Sequence, residues 1–115
     1  MPIKNKTRNK TLVDKVKFCK NFLNQSIGLI FHKKLKSKGL IFIYKKEKKV
    51  PLHMIFVFFP IDILYLDKNK KVIEMKKNFR PFHAYTPKKK ANYILELPES
   101  SIERTNTKLG DKISF

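Results

Sequence analysis

Residues 51–66 hold the longest apolar stretch of the chain, interrupted by His53, Pro60 and Asp62. The stretch falls short of the roughly 20 apolar residues a membrane-spanning helix needs, and Asp62 sits inside it, so it belongs to a core. Residues 52–59 are apolar on both faces, as a central strand covered on each side must be. Pro60 cannot donate to a ladder, so pairing breaks or bulges there. Residues 61–66 then resume as a strand. Asp67-Lys68-Asn69-Lys70 is a turn signal, and residues 72–75 return as the hairpin partner.

The flanking segments follow the same logic. Residues 1–11 alternate charge and amide without an apolar h-region, which gives no secretory signal and predicts a flexible basic arm before a single domain over 12–115. Residues 12–19 alternate apolar and charged positions, the period-2 mark of a half-buried strand. Phe22, Leu23, Ile27 and Ile30 recur near helical spacing, so a short helix is expected over 21–35, with Gly28 interrupting or capping it. Residues 40–44 read as a strand after Gly39, and 45–49 as a charged turn. The Arg80-Pro81-Phe82 and Thr86-Pro87 region reads as a loop, 93–97 as a strand and 100–106 as a short irregular or helical connection. Gly110-Asp111 turns into a final strand. The expected fold is mainly β (α+β): a small closed or partly closed, barrel-like sheet of about six or seven strands with one or two short helices.

Charge sets the surface. Twenty-seven Lys+Arg stand against nine Asp+Glu in 115 residues, a formal net charge of +18. Such an excess attracts nucleic acid or any other polyanion. Lysine-rich codon usage and the solubility a lysine coat confers account for the same number. Only Arg8, Arg80 and Arg104 carry the forked guanidinium that reads bases, so binding would be backbone-directed and salt-sensitive. The candidate contacts are Lys33, Lys34, Lys45, Lys46, Lys48, Lys49, Arg80, Lys88, Lys89 and Lys90. Cys19 is the single cysteine, which excludes an internal disulfide and matches a cytoplasmic setting.

Gly28-Leu29-Ile30-Phe31, Gly39-Leu40-Ile41-Phe42, His53-Met54 running to Pro60-Ile61-Asp62-Ile63, Leu95-Glu96-Leu97-Pro98 and Gly110-Asp111 follow one another along the chain. This ordered set resembles the uncharacterised conserved family called domain of unknown function 192, in the branch associated with archaea. The family pattern is a GLMFR-like segment, a GMLF-like segment, a WMKNT-like segment running into PLD, an LEL segment and a closing GD. The chain departs from it at His32 for the arginine, at His53 for the tryptophan, and at Ile55-Phe56-Val57 for Lys-Asn-Thr. The resemblance implies a compact, β-rich, barrel-like fold with short helices. It implies no activity.

Candidate sites stand beside plainer roles. Asp62, within an apolar strand, needs hydrogen bonds or a partner. It is either a ligand or proton-handling group at a pocket mouth, with His53 and Met54 beside it, or an acceptor for backbone N–H groups freed at Pro60. His32, His53 and His83 show no HxH or HExxH spacing, so no metal is expected, and three glycines make no phosphate-cradling loop, so no cofactor is expected either. Gly28, Gly39, Pro60, Gly110 and Asp111 read as structural, and Glu96 as the partner of a neighbouring lysine. Among the aromatics, only the 79–85 loop reads as an exposed stacking platform.

Overall fold

The computed structural model describes residues 2–19, 38–48, 52–53, 60–80 and 84–115. The expected helix over 21–35 and residues 54–59 of the expected central strand lie outside the described residues. Ten strands and one helix are described: β1 (Ile3–Asn5), β2 (Lys10–Val13), β3 (Lys15–Cys19), β4 (Lys38–Lys48), β5 (Leu52–His53), β6 (Ile61–Leu66), β7 (Val72–Phe79), β8 (Ala84–Tyr85), β9 (Ala91–Pro98), α1 (Ser101–Thr105) and β10 (Ile113–Ser114). The domain is mainly β.

Five strands form the main sheet in the order β3-β4-β9-β6-β7. β3 and β4 run parallel, while the other pairs are antiparallel. Every residue of β6 is buried, because its odd positions face one core and its even positions another. The first core gathers Leu40, Phe42, Ile61, Ile63, Tyr65, Phe79, Ala91 and Ile94. The second gathers Ile3, Leu12, Ile41, Leu64, Leu95, Leu97, Ile102 and Ile113 among others. A three-stranded sheet, β10-β1-β2, and α1 supply the second core from outside the main sheet. A fully buried Leu or Ile contributes about 1.5–3 kcal/mol, so these two layers dominate stability.

Gly39 lies where the layers meet. A Cβ there would stand 3.0 Å from Val13 Cγ2 and 3.1 Å from Ile3 Cδ1, so a larger residue would press on the side chains of the outer sheet, and the close approach of β4 to it favours glycine.

Several expectations change. The described part of the expected arm, residues 2–11, is not loose: β1 pairs with β2 and β10, and Ile3 and Asn5 are fully buried. One apolar residue and one amide anchor it, and neither makes a periodic pattern. The strand expected over 12–19 is two strands, broken at Asp14. The turn expected over 45–49 is instead the continuation of β4 through Lys48, which pairs with Ala91. The described strands form three separate sheets, and no pairing joins the outer strands β3 and β7 among the described residues.

Candidate functional sites: a basic end and two buried carboxylates

Three turns distant in sequence interlock at one end of the molecule. The Lys6 N–H donates to the Lys112 carbonyl at 2.8 Å, and the Ile113 N–H donates to the Lys70 carbonyl at 2.9 Å. The Lys112 N–H donates to Thr7 Oγ1 at 2.8 Å. Lys71 and Lys112 are partners in an isolated antiparallel bridge. Residues 6–9, 67–71 and 107–112 therefore share one surface, carrying seven basic side chains against two carboxylates, a net of +5. Lys6, Lys68, Lys71, Lys108 and Lys112 are exposed.

Both carboxylates there are already occupied. Asp67 Oδ1 accepts the Asn69 and Lys71 N–H groups, closing the β6–β7 turn. Asp111 is buried and fastens the two ends of the chain: Oδ2 accepts from Arg8 Nε at 2.7 Å, from Asn5 Nδ2 at 2.9 Å and from the Lys108 N–H at 2.9 Å. Burial alone would raise the Asp111 pKa, but the Arg8 and Asn5 hydrogen bonds and the Lys108 amide outweigh it and hold it below the ordinary value. The Arg8 ion pair offsets the Asp111 charge, and Asp67 is held within its own turn, so this end keeps its positive excess.

Asp62 lies on the second face of β6 at 2% exposure. Its Oδ1 accepts the Asn78 N–H and its Oδ2 the Ile102 N–H, both at 2.9 Å. One carboxylate thus ties β6 to β7 and caps the first turn of α1, where Ser100 makes no side-chain cap bond. The amides it serves come from Asn78 and Ile102 rather than from the break at Pro60. Asp62 also borders an open groove of about 340 Å³ together with Lys77, Asn78, Glu99, Ser100 and Glu103.

Glu96 occupies the middle of the central strand, opposite Leu40 on β4 and Ile63 on β6. It is 4% exposed and forms no ion pair among the described residues, so the expected lysine partner is absent there. The cause is position: strands on both sides place its side chain in the first core. Glu96 Oε2 and the Tyr65 hydroxyl have no hydrogen-bond partner among the described residues. Burial pushes the Glu96 pKa up to about 8. Burial, and then the charges of Tyr85, Glu74 and Glu96, push Tyr65 up as well. On the rim of this core the Tyr85 hydroxyl donates to Glu74, whose carboxylate also accepts the Lys88 and Lys89 N–H groups.

The remaining expected residues scatter. His53 lies on β5 and pairs with Ala84 of β8, in a sheet separate from that of Asp62. Met54, Gly28, Lys33, Lys34 and Lys49 lie outside the described residues. Lys45, Lys46 and Lys48 lie along β4, with Lys46 exposed, and Arg80, Lys88, Lys89 and Lys90 are exposed elsewhere. Phe79 is buried and Tyr85 half-buried, so the described part of the 79–85 segment offers no open aromatic face. Among the described residues the exposed aromatic ring is Phe18, on β3. Sequence reasoning missed the basic end as a unit, because its turns are joined by the pairing of β1 with β10 and by the Lys71–Lys112 bridge, which no local pattern announces. Among the described residues no group of three or more His, Cys, Asp or Glu could hold a metal ion, and no helix is long and apolar enough to cross a membrane.

Comparison with known proteins agrees with the ordered motifs. A UPF0127 protein of Thermococcus sibiricus is 33% identical over 113 residues, covering 96% of this chain and 72% of its relative. A UPF0127 protein of Pyrococcus furiosus is 32% identical, covering 96% and 95%. A crystal structure of a Novosphingobium aromaticivorans protein of unknown function superposes with a TM-score of 0.85 at 20% identity, over 100% of this chain and 84% of the other. The model of the family domain of unknown function 192, described as "Uncharacterized ACR", matches residues 3–115. The chain belongs to that family.

Proposed function

We propose that the chain is a binding domain for polyanions, nucleic acid foremost, and that it engages them by backbone charge through the basic end. The observation that carries this reading is the interlock of three basic turns with Lys71 opposite Lys112. Like charges directly opposite across a strand pair are unfavourable, and a phosphate seated between them relieves the repulsion. Lysine offers point charge and no base reading, so the binding tolerates sequence. Lys46, Arg80 and Lys88–Lys90 extend the positive field away from this end without converging on it. The single cysteine fits the cytoplasm, where nucleic acid is at hand. The register shifts in the β4–β9 and β6–β7 pairs add twist that supports a partly closed, barrel-like sheet.

Anisotropy of a labelled oligonucleotide titrated at increasing salt tests the reading. Affinity falls on a log–log line with a slope of about −0.9 per duplex phosphate contact. Absence of binding near 50 mM salt, where such contacts are strong, contradicts it.

A small-molecule pocket at Asp62 is the second reading, and the groove beside Asp62 favours it, with His53 on a separate sheet. Both Asp62 oxygens are committed to backbone amides, which places it behind the first.

A further inference from the structure

Beside the basic end, the second face of the main sheet carries an aromatic surface that the outer sheet leaves uncovered. Phe18 on β3 is 48% exposed, and Ile43 on β4, opposite Tyr93 of β9, is 41% exposed. The Phe18 and Phe115 ring centroids lie 6.2 Å apart, and those of Tyr93 and Phe115 lie 5.2 Å apart in an edge-to-face contact. Lys70 joins this surface to the basic turns. Its Nζ stands 4.0 Å from the Phe115 ring centroid and donates to the Phe115 main-chain oxygen at 3.2 Å. The next residue is Lys71, the bridge partner of Lys112.

We propose that this surface binds single-stranded nucleic acid, with bases stacking on Phe18 and the Phe115 edge while the strand's phosphates run over Lys70, Lys71 and Lys112. The proposal rests on the polyanion reading and narrows its ligand. A lysine cluster alone binds duplex and single strand by the same charge. An exposed ring beside that cluster adds affinity only for a strand whose bases are free to leave their own stack. Every base has a π-face, so the stacking is as indifferent to sequence as the lysines are. The cationic rim selects a phosphate-bearing occupant over an uncharged apolar one for the same surface.

The test measures anisotropy of a labelled 12-nucleotide poly-dT strand and of a 12-base-pair duplex with the full chain at 50 mM salt. Phe18→Ala is expected to weaken single-strand binding about 5- to 150-fold, the worth of one stacked base, while leaving duplex affinity and the salt slope unchanged. Phe18→Tyr keeps the ring and is expected to keep the affinity, which separates loss of stacking from loss of fold. Single-strand binding by the wild type that Phe18→Ala does not alter overturns the stacking proposal and leaves the polyanion reading standing. Failure of the wild type to bind either ligand overturns both. Sedimentation showing a dimer that Phe18→Ala dissociates identifies the surface as a contact between copies of this chain and overturns the proposal.

Discussion

Lys71 and Lys112 face each other across an isolated antiparallel bridge, each exposed, although 41 positions separate them in the chain. Two like charges held opposite one another oppose folding by an amount comparable to other cross-strand pairs, roughly 0.2–1 kcal/mol. Lys112→Glu replaces repulsion by attraction, so it raises the thermal midpoint slightly. A scanning calorimetry trace with an unchanged or lower midpoint contradicts the geometry.

Asp62 holds two backbone amides from two different elements. Asp62→Ala strands the buried Ile102 N–H and the part-buried Asn78 N–H. A buried unsatisfied group costs about 1–3 kcal/mol and the partly exposed one less, so the variant loses about 1–5 kcal/mol in urea denaturation. Unchanged stability in this variant points instead to a carboxylate that serves a ligand.

Glu96 gives the chain a pH dependence of unusual sign. Its folded pKa, about 8, is raised above the ordinary 4.5, so its contribution is fully present below about pH 4.5 and is lost as pH rises through 8. Within that window the slope is up to about 1.4 kcal/mol per pH unit. Glu96→Gln removes this slope, so the difference between variant and wild type, followed by urea denaturation from pH 5 to 9, grows in favour of the variant. A difference constant across that range contradicts a buried Glu96 whose Oε2 has no partner among the described residues.

Asp111 acts in the opposite sense. Its folded pKa lies below the ordinary 3.8, so its contribution is present above that value and is lost as pH falls through the folded pKa. Asp111→Asn flattens the acid limb of the stability curve below about pH 4 and leaves the Glu96 window untouched. An acid limb as steep as in the wild type shows that Arg8 and Asn5 do not set it.

Local patterns made some of this architecture legible and hid the rest. The β6–β7 hairpin followed from the apolar run at 61–66 and the turn chemistry of Asp67, whose side chain caps its own turn. Asp62 drew attention because a carboxylate in an apolar strand has to be satisfied. β1 left no trace, since Ile3 is one apolar residue among Lys4, Asn5 and Lys6, and Asn5 is held by Thr107 and Asp111 from the far end of the chain. Glu96 resembled a surface charge until β4 and β6 closed on both sides of its strand. The basic end was invisible for the same reason: its turns meet through pairings between residues far apart in the chain.

The central claim is that charge gathered at this end, rather than charge anywhere on the surface, binds the polyanion. The most direct measurement compares two variants of equal net charge for single-strand affinity at 50 mM salt. One reverses Lys71 and Lys112 to Glu, and the other reverses Lys88 and Lys90 on the separate loop fastened to Glu74. The account predicts that the first weakens binding at least about tenfold and lowers the salt slope by roughly the two lost phosphate contacts, while the second leaves the slope close to that of the wild type. Equal losses in both variants would show a diffuse lysine coat and contradict a localised site.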